Sequence, residues 1–466
     1  MKSAVESGVE GGMKHPALLF ALVSLFATSS AVFAAKPNVM VIIADDLGYH
    51  DVGFQGSQEI PTPHLDKLAA RGLRCTNGYV SHSFCSPTRA GILTGRYQHR
   101  FGHENNPAWM PENTTAGLSM NETTFPSLMK QAGYTTGAVG KWHLGAHPQF
   151  HPNKRGFDEY FGALGGGHQY FPGDKGGAEY TIPLNRNGTD EAQTKYLTEQ
   201  FGDEAAAFVG RHASDGKPWM LYLAFNAPHT PLQAPKEWLE KFAHIQPEQR
   251  RTYAAMVAAM DAAIGSVTTK LDETKQTENT LVFFVSDNGG PNLAKRTGVN
   301  FTDNTPLRGA KGDLYDGGMR VPFLVSWPAK IKPGVYDQPV ISLDFLPTAL
   351  AAAEATSPGN LDGVNLLPFL TGEKTTAPHD LLFWRTGGPG GTNAVRRGPM
   401  KLVRIGKAAP ELYDLATDIG ESKNIAAEKP QVVAELLTAI TEWEKGTIAP
   451  TFQSPKGGVP KKKKAK

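Results

Sequence analysis

Four segments of this chain share one design, a buried-looking strand that ends in residues able to do chemistry. "NVMVIIADD" closes on Asp45 and Asp46, and "TTGAVGKWHLG" on Lys141 and His143. "WMLYLAFNAPH" closes on His229, and "NTLVFFVSDNGG" on Asp287 and Asn288. An apolar run without polar alternation is what a strand needs when both of its faces are covered, the normal condition of a parallel sheet between helix layers. Helical stretches lie between these runs: "TPHLDKLAARG", with Thr62 at the N-cap and Pro63 in the first turn, "TFPSLMKQAG", and the long "RTYAAMVAAMDAAIGSVTTKL". The alternation predicts an α/β sandwich around a large, mostly parallel central sheet flanked by helices. Sheets of that kind bind ligands beyond the carboxyl ends of their strands, where the polar residues stand.

After "VPFLVSWP" and the helical "SLDFLPTALAAAEA" the texture changes. "DLLFWRTGG", "NAVRRG", "MKLVRI" and "ELYDLATD" read as short strands, and "PQVVAELLTAITEWEKG" as a closing amphipathic helix. The expected division is a catalytic domain over 36–364, a smaller antiparallel α+β subdomain over 365–450, and a basic tail over 451–466. Lys+Arg number 47 against 45 Asp+Glu, a formal net charge of +2, which gives no case for nucleic acid or a membrane as partner.

The N-terminus carries an address. From Met13, "MKHPALLFALVSLFATSSAVFAAKPN" has a cationic start, an apolar run from Pro16 to Ala27, and small residues at Val32 and Ala34 suited to signal peptidase. The run is shorter than the ~20 residues that span a bilayer. Residues 1–34 are therefore expected to be a signal peptide, with Met13 as an alternative start, and the mature chain periplasmic or extracellular. In an oxidising compartment the two cysteines, Cys75 and Cys85, could form a disulfide.

Asp45, Asp46, Asp287 and Asn288 offer oxygen ligands from two strand ends, which suits Ca²⁺ or Mg²⁺. Acids at strand ends also hold turns, but two such pairs favour a metal site. Lys141 and His143, two apart on an extended segment, point to one face. With His229 and with Lys311 in "PLRGAKGDLYDGG" they could surround an anion with donors.

"CSPTRAGILTGR", from Cys85, carries the pattern Cys-x-Pro-x-Arg followed by Leu-Thr-Gly-Arg. Together with "ADDLGYHDVG", "GKWHLG", "NAPHTP", "SDNGG" and "LRGAKG" in that order, it makes the chain resemble the type I sulfatases of the alkaline phosphatase superfamily, from about Asn38 to the C-terminal helix. The resemblance implies that a maturation enzyme oxidises Cys85 to Cα-formylglycine, whose hydrate attacks sulfur with one hydroxyl and expels sulfate with the other. It further implies Ca²⁺ on Asp45, Asp46, Asp287, Asn288 and the modified Cys85. Arg89 and Lys141 would steady the nucleophile, and His143 would hydrogen-bond to it. His229 would protonate the leaving oxygen, helped by Lys311, which also contacts the sulfate. The expected substrate is a sulfated saccharide, with Arg100, His103, Asn105 and His168 either gripping a sugar ring or merely stabilising their loops. Two alternatives stand beside this reading: a phosphodiesterase or phosphonate monoester hydrolase of the same superfamily, and a glycan-binding relative without catalysis.

Overall fold

The computed structural model describes residues 36–294 and 298–454; the expected leader, and the tail from 455 on, lie outside the described residues. Among the described residues no helix is long and apolar enough to cross a membrane.

The central sheet has ten strands. From edge to edge they are Gly334–Tyr336, Leu73–Cys75, Phe323–Ser326, Thr280–Ser286, Asn38–Ala44, Trp219–Ala224, Thr135–Gly140, Glu159–Gly162, Leu184–Arg186 and Thr189–Glu191. The five from Thr280–Ser286 to Glu159–Gly162 run parallel; Phe323–Ser326 on one side and Leu184–Arg186 on the other are antiparallel to both of their neighbours, and the edge strand Gly334–Tyr336 is parallel to Leu73–Cys75. This is the expected α/β sandwich.

The unbroken apolar strands follow from a core on each side. In Asn38–Ala44, the side chains of Val39, Val41 and Ile43 enter one core, with Ile92, Leu93, Phe345 and Leu346 from helices Cys85–Thr94 and Phe345–Ala352. The alternate residues Met40, Ile42 and Ala44 enter the other, with Phe201, Ala205, Met256 and Met260 from helices Leu197–Arg211 and Glu248–Glu273. Thr62 does stand at the N-cap of helix Pro63–Ala69, but its hydroxyl does not cap it. It accepts from Gly53 N at 2.8 Å and donates to Asp66 at 3.2 Å. The free N–H groups of His64 and Leu65 go instead to the Asp261 carboxylate, at 3.1 and 2.8 Å, from the long helix alongside.

A separate four-stranded antiparallel sheet comprises Leu381–Thr386, Thr392–Arg397, Met400–Arg404 and Glu411–Asp414. Val395, Leu402 and Leu412 meet Leu436 and Ile440 of helix Pro430–Glu444. Leu382, Trp384, Ala394 and Val403 join the larger core, where the Trp384 indole donates to Val80 O at 2.7 Å. Lys401, fully buried, ties this sheet to the rest: its Nζ lies 2.6 Å from Asp316 Oδ1 and 2.8 Å from Glu421 Oε1. Lys401→Met would leave two buried carboxylates without their ammonium partner, and should lower unfolding stability by ~3–5 kcal/mol. Urea denaturation reads this; a loss below ~1 kcal/mol would show that neighbouring arginines carry the charge instead.

Candidate active site

The sheet register brings the polar strand ends together. Ala44 pairs with Ser286, and Ala224 with both Ile43 and Gly140, so the residues that follow leave the sheet at one level. Backbone bonds continue that register past the strands: Asp287 N to Ala44 O at 3.0 Å, Asp45 N to Ala227 O at 3.0 Å, and Lys141 N to Ala224 O at 2.8 Å. Glycine is required at 140. Its φ is +107°, and a Cβ there would sit 1.9 Å from Ala224 O.

Asp45, Asp46, Cys85 and Asp287 are all buried, and each offers a ligand atom within 4.8 Å of the others. Each carboxylate has a cation. Lys141 Nζ is 2.5 Å from Asp45 Oδ2, Lys311 Nζ is 2.5 Å from Asp46 Oδ1, and Arg89 Nη2 is 2.7 Å from Asp287 Oδ2. Asn288 donates to Asp46 Oδ1 at 2.7 Å. Asp45 Oδ1 and Asn288 Oδ1 remain buried without a hydrogen-bond partner among the described residues. An orphaned buried acceptor costs ~1–3 kcal/mol, so two such oxygens beside the Asp46 and Asp287 carboxylates fit a hard divalent cation.

The electrostatics follow from crowding three carboxylates out of water. Burial and the adjacent Asp45 carboxylate push Asp287 up to about 6, against the pull of Arg89. Burial would also raise Asp46, but Lys311 and His229 outweigh it and bring it down to about 2. Burial works against charge on Lys141 and Lys311 as well, yet Asp45 beside the first and Asp46 beside the second hold both above the usual lysine value.

Cys85 is the first residue of helix Cys85–Thr94, whose first turn holds no acid. The positive end of that helix therefore faces the cluster. Lys311 Nζ lies 3.1 Å from Cys85 Sγ. Burial pushes the thiol up to about 12 despite Lys141 and Lys311, so it stays protonated. Neither cysteine is in a disulfide.

His143 reaches the cluster by a route the sequence reading had wrong. The segment is not extended there: the strand stops at Gly140, and His143 takes a left-handed φ of +59°. Asp46 is left-handed too, at +66°. Such backbone costs ~1–3 kcal/mol per residue and persists where the surroundings over-determine it. The His143 carbonyl accepts from Ser86 Oγ at 2.7 Å, which fixes the loop to the residue after Cys85. Burial, with Lys141 and Arg89 adding to it, holds the imidazole well below its usual pKa, and its Nδ1 has no partner among the described residues. His229 stands with Nε2 3.7 Å from Asp46 Oδ2 and Nδ1 2.6 Å from Thr230 O. That carbonyl can only accept, so Nδ1 carries a proton and Nε2 is the atom presented to the site. Burial lowers His229 to about 4, against the raising effect of Asp46.

The four residues expected at a sugar ring have other engagements. Arg100 grips Asp362 through two nitrogens, at 2.7 and 2.5 Å, and donates to Gly446 O at 3.2 Å. His103 is buried behind the nucleophile helix, 2.7 Å from Ser86 Oγ and 3.2 Å from Gly117 O. Asn105 donates to Phe452 O at 2.8 Å. His168 has both ring nitrogens on carbonyls, of Gln169 at 2.7 Å and Ile182 at 2.9 Å. The cavity that borders His143 is lined instead by Trp109, Glu179 and the Gly165–Gly166 step. A lone tryptophan in a loop and a lone glutamate in the short 3-10 helix Ala178–Thr181 belong to no pattern, and nothing in the sequence singled them out.

Comparison with known proteins agrees with this geometry. The sequence model of the family described as Sulfatase matches residues 37–355, and that of the N-sulphoglucosamine sulphohydrolase C-terminal region matches 310–445. The chain is 30% identical to arylsulfatase G of Rattus norvegicus, over 92% of this chain and 90% of that protein. It is 36% identical to N-acetylgalactosamine-6-sulfatase of Homo sapiens, over 72% of this chain and 66% of that one. Among solved structures, Ps i-CgsB in complex with k-i-k-neocarrahexaose superposes with a TM-score of 0.84 at 37% identity, covering 90% of this chain and 95% of that chain. A ten-stranded sandwich of this topology, its strand ends converging on an acidic cluster around a cysteine, together with family matches across most of its length, places the chain in the sulfatase family, as an alkaline-phosphatase-like hydrolase of sulfuric esters.

Proposed function

We propose that this sulfatase removes sulfate from a saccharide, with residue 85 as the oxidised nucleophile and Asp45, Asp46, Asp287 and Asn288 as ligands of a single Ca²⁺. The observation that carries the reading is the position of Cys85: buried, at a helix N-terminus, 3.1 Å from Lys311 Nζ and inside the acidic cluster. The saccharide assignment is supported by relatives named for carbohydrate substrates or solved with a carbohydrate.

Bound Ca²⁺ would supply a fixed positive charge for a sulfate oxygen. A formylglycine at residue 85, made by a maturation enzyme, would supply a geminal diol. The chain's own residues do the rest. Lys141 and Lys311 carry the remaining counter-charge for the sulfate monoanion, and Arg89 holds Asp287 and the Lys141 carbonyl in place. His143, neutral and with Nδ1 unpaired, is suited to hydrogen-bond a nucleophile hydroxyl. His229 presents Nε2 at the edge of the cluster, where it can hand a proton to the departing alcohol oxygen. Donors fixed in a buried site stabilise the equatorial oxygens as the S–O bond breaks, at no cost in reorientation.

We assign 36–364 to the catalytic domain and 365–450 to the smaller subdomain, a division supported by the separate four-stranded sheet. The leader pattern supports export to the periplasm or beyond.

Chelation tests the metal assignment. EDTA should abolish turnover of p-nitrophenyl sulfate, and Ca²⁺ should restore it better than Zn²⁺, because the donors are hard oxygens. Restoration by zinc alone would replace this site with a phosphatase-like one. A panel of carrageenan, chondroitin sulfate and heparan sulfate oligosaccharides tests the substrate class; failure to desulfate any saccharide would refute it.

A further inference from the structure

Gly165, Gly166 and Gly167 follow one another beside His143, and none of them has a left-handed φ. What the last two provide is room. A Cβ at Gly166 would lie 2.5 Å from His143 Nε2. A Cβ at Gly167 would lie 2.5 Å from Cε1 of Tyr180 and 2.9 Å from its hydroxyl oxygen. Two neighbouring glycines thus make way for two rings, and the first ring already belongs to the site.

The backbone of Tyr180 is pinned from both sides: its N–H donates to Gly177 O at 2.8 Å, and its carbonyl accepts from Gln169 N at 3.0 Å. The side chain is half-buried, and among the described residues its hydroxyl makes no hydrogen bond. Burial raises the phenol above its ordinary value, with Glu179 and Asp45 acting the same way and Lys141 and Lys311 against them. The proton therefore stays on the oxygen, and the group is available as a donor. Lys141, Asp45 and Lys311 come from three different segments of the cluster, and the charges of all three reach this one hydroxyl. An anion held between the two lysines lies in the same space.

We propose that Tyr180 is a further substrate-contacting residue of the sulfatase reaction, its hydroxyl donating to a non-bridging oxygen of the sulfate ester. The acceptor is the sulfate rather than the sugar, because Tyr180 shares its glycine segment with His143, which serves the nucleophile, and not with His229, which faces the leaving alcohol. A hydrogen bond to a charged oxygen is stronger than one to a neutral oxygen, and a donor on a pinned backbone needs no reorientation as the S–O bond breaks. The contact rests on the reading of Lys141 and Lys311 as the sulfate's counter-charges.

Tyr180→Phe keeps the ring against Gly167 and removes only the hydroxyl. It should lower kcat/KM ~10- to 100-fold, by the same factor for p-nitrophenyl sulfate and for the oligosaccharide that wild type desulfates fastest, the scale of a lost hydrogen bond to a charged group. Inhibition by inorganic sulfate should weaken ~10-fold or more, because product and ester offer the same oxygens. Unchanged sulfate inhibition or unchanged kcat/KM means that Tyr180 only packs against Gly167, and overturns the assignment. A loss confined to the oligosaccharide overturns it as well, since the hydroxyl would then serve the sugar. Lys311→Ala is measured alongside. If that variant leaves sulfate inhibition unchanged, the counter-charge reading itself fails, a result distinct from a silent Tyr180→Phe beside a weakened Lys311→Ala.

Discussion

Cys85→Ser should lose kcat/KM on p-nitrophenyl sulfate by ~10⁴ to 10⁶, the scale seen when a nucleophile is removed from an otherwise intact site. The substitution is nearly isosteric and sits at the first position of helix Cys85–Thr94, where serine is well tolerated, so the loss will not come from unfolding. It comes from the chemistry that residue 85 must complete. A single hydroxyl can displace an alcohol from sulfur, but it has no second oxygen from which to push sulfate off again, so steady turnover stops. The measurement has two arms. Mass spectrometry of the peptide containing residue 85 should show a mass loss in active wild type, since replacing CH₂SH by CHO removes more mass than oxygen adds. Kinetics should show the collapse in a serine variant whose circular dichroism matches wild type. Active wild type with only unmodified thiol, or a serine variant with substantial steady turnover, would falsify the assignment.

What the sequence made legible was whatever repeats or is periodic. The doubly buried strands announced themselves because a strand covered on both faces has no reason to alternate, and Met40, Ile42 and Ala44 enter one core while Val39, Val41 and Ile43 enter the other. The acidic cluster was readable because its carboxylates sit directly after those strands, where the Ala44 and Ser286 register brings Asp45 beside Asp287. The loops were another matter. Arg100, His103, Asn105 and His168 drew attention as polar residues in loops, but polarity cannot distinguish a side chain that awaits a ligand from one that anchors its own backbone. Arg100 is spent on Asp362, 262 positions away, and Asn105 on Phe452, 347 positions away. No local pattern encodes such contacts. His143 shows the intermediate case: its identity and place were legible, while the left-handed turn that delivers it was not, because only the closed site requires that conformation.

His229→Ala should slow desulfation of a saccharide by ~10² to 10⁴, the usual worth of general acid catalysis, and slow p-nitrophenyl sulfate far less. A sugar alkoxide is strongly basic and cannot leave without a proton, whereas nitrophenolate needs almost no help. The geometry gives the proposal a specific difficulty to overcome. Nδ1 lies on Thr230 O at 2.6 Å, so in the neutral ring Nε2 has no proton to give, and burial lowers His229 to about 4. The acid form must therefore be favoured by the bound anion, whose charge acts on the ring in the same direction as Asp46, at 3.7 Å, and against Lys311. Lys311 is the rival. It is held protonated beside Asp46 and lies 3.1 Å from Cys85 Sγ, nearer the nucleophile than the expected position of a leaving group. His143→Ala supplies the control, because a residue that serves the nucleophile is blind to the leaving group and should damage both substrates alike. If His229→Ala also costs both substrates equally, the proton comes from elsewhere, and Lys311 inherits the acid role.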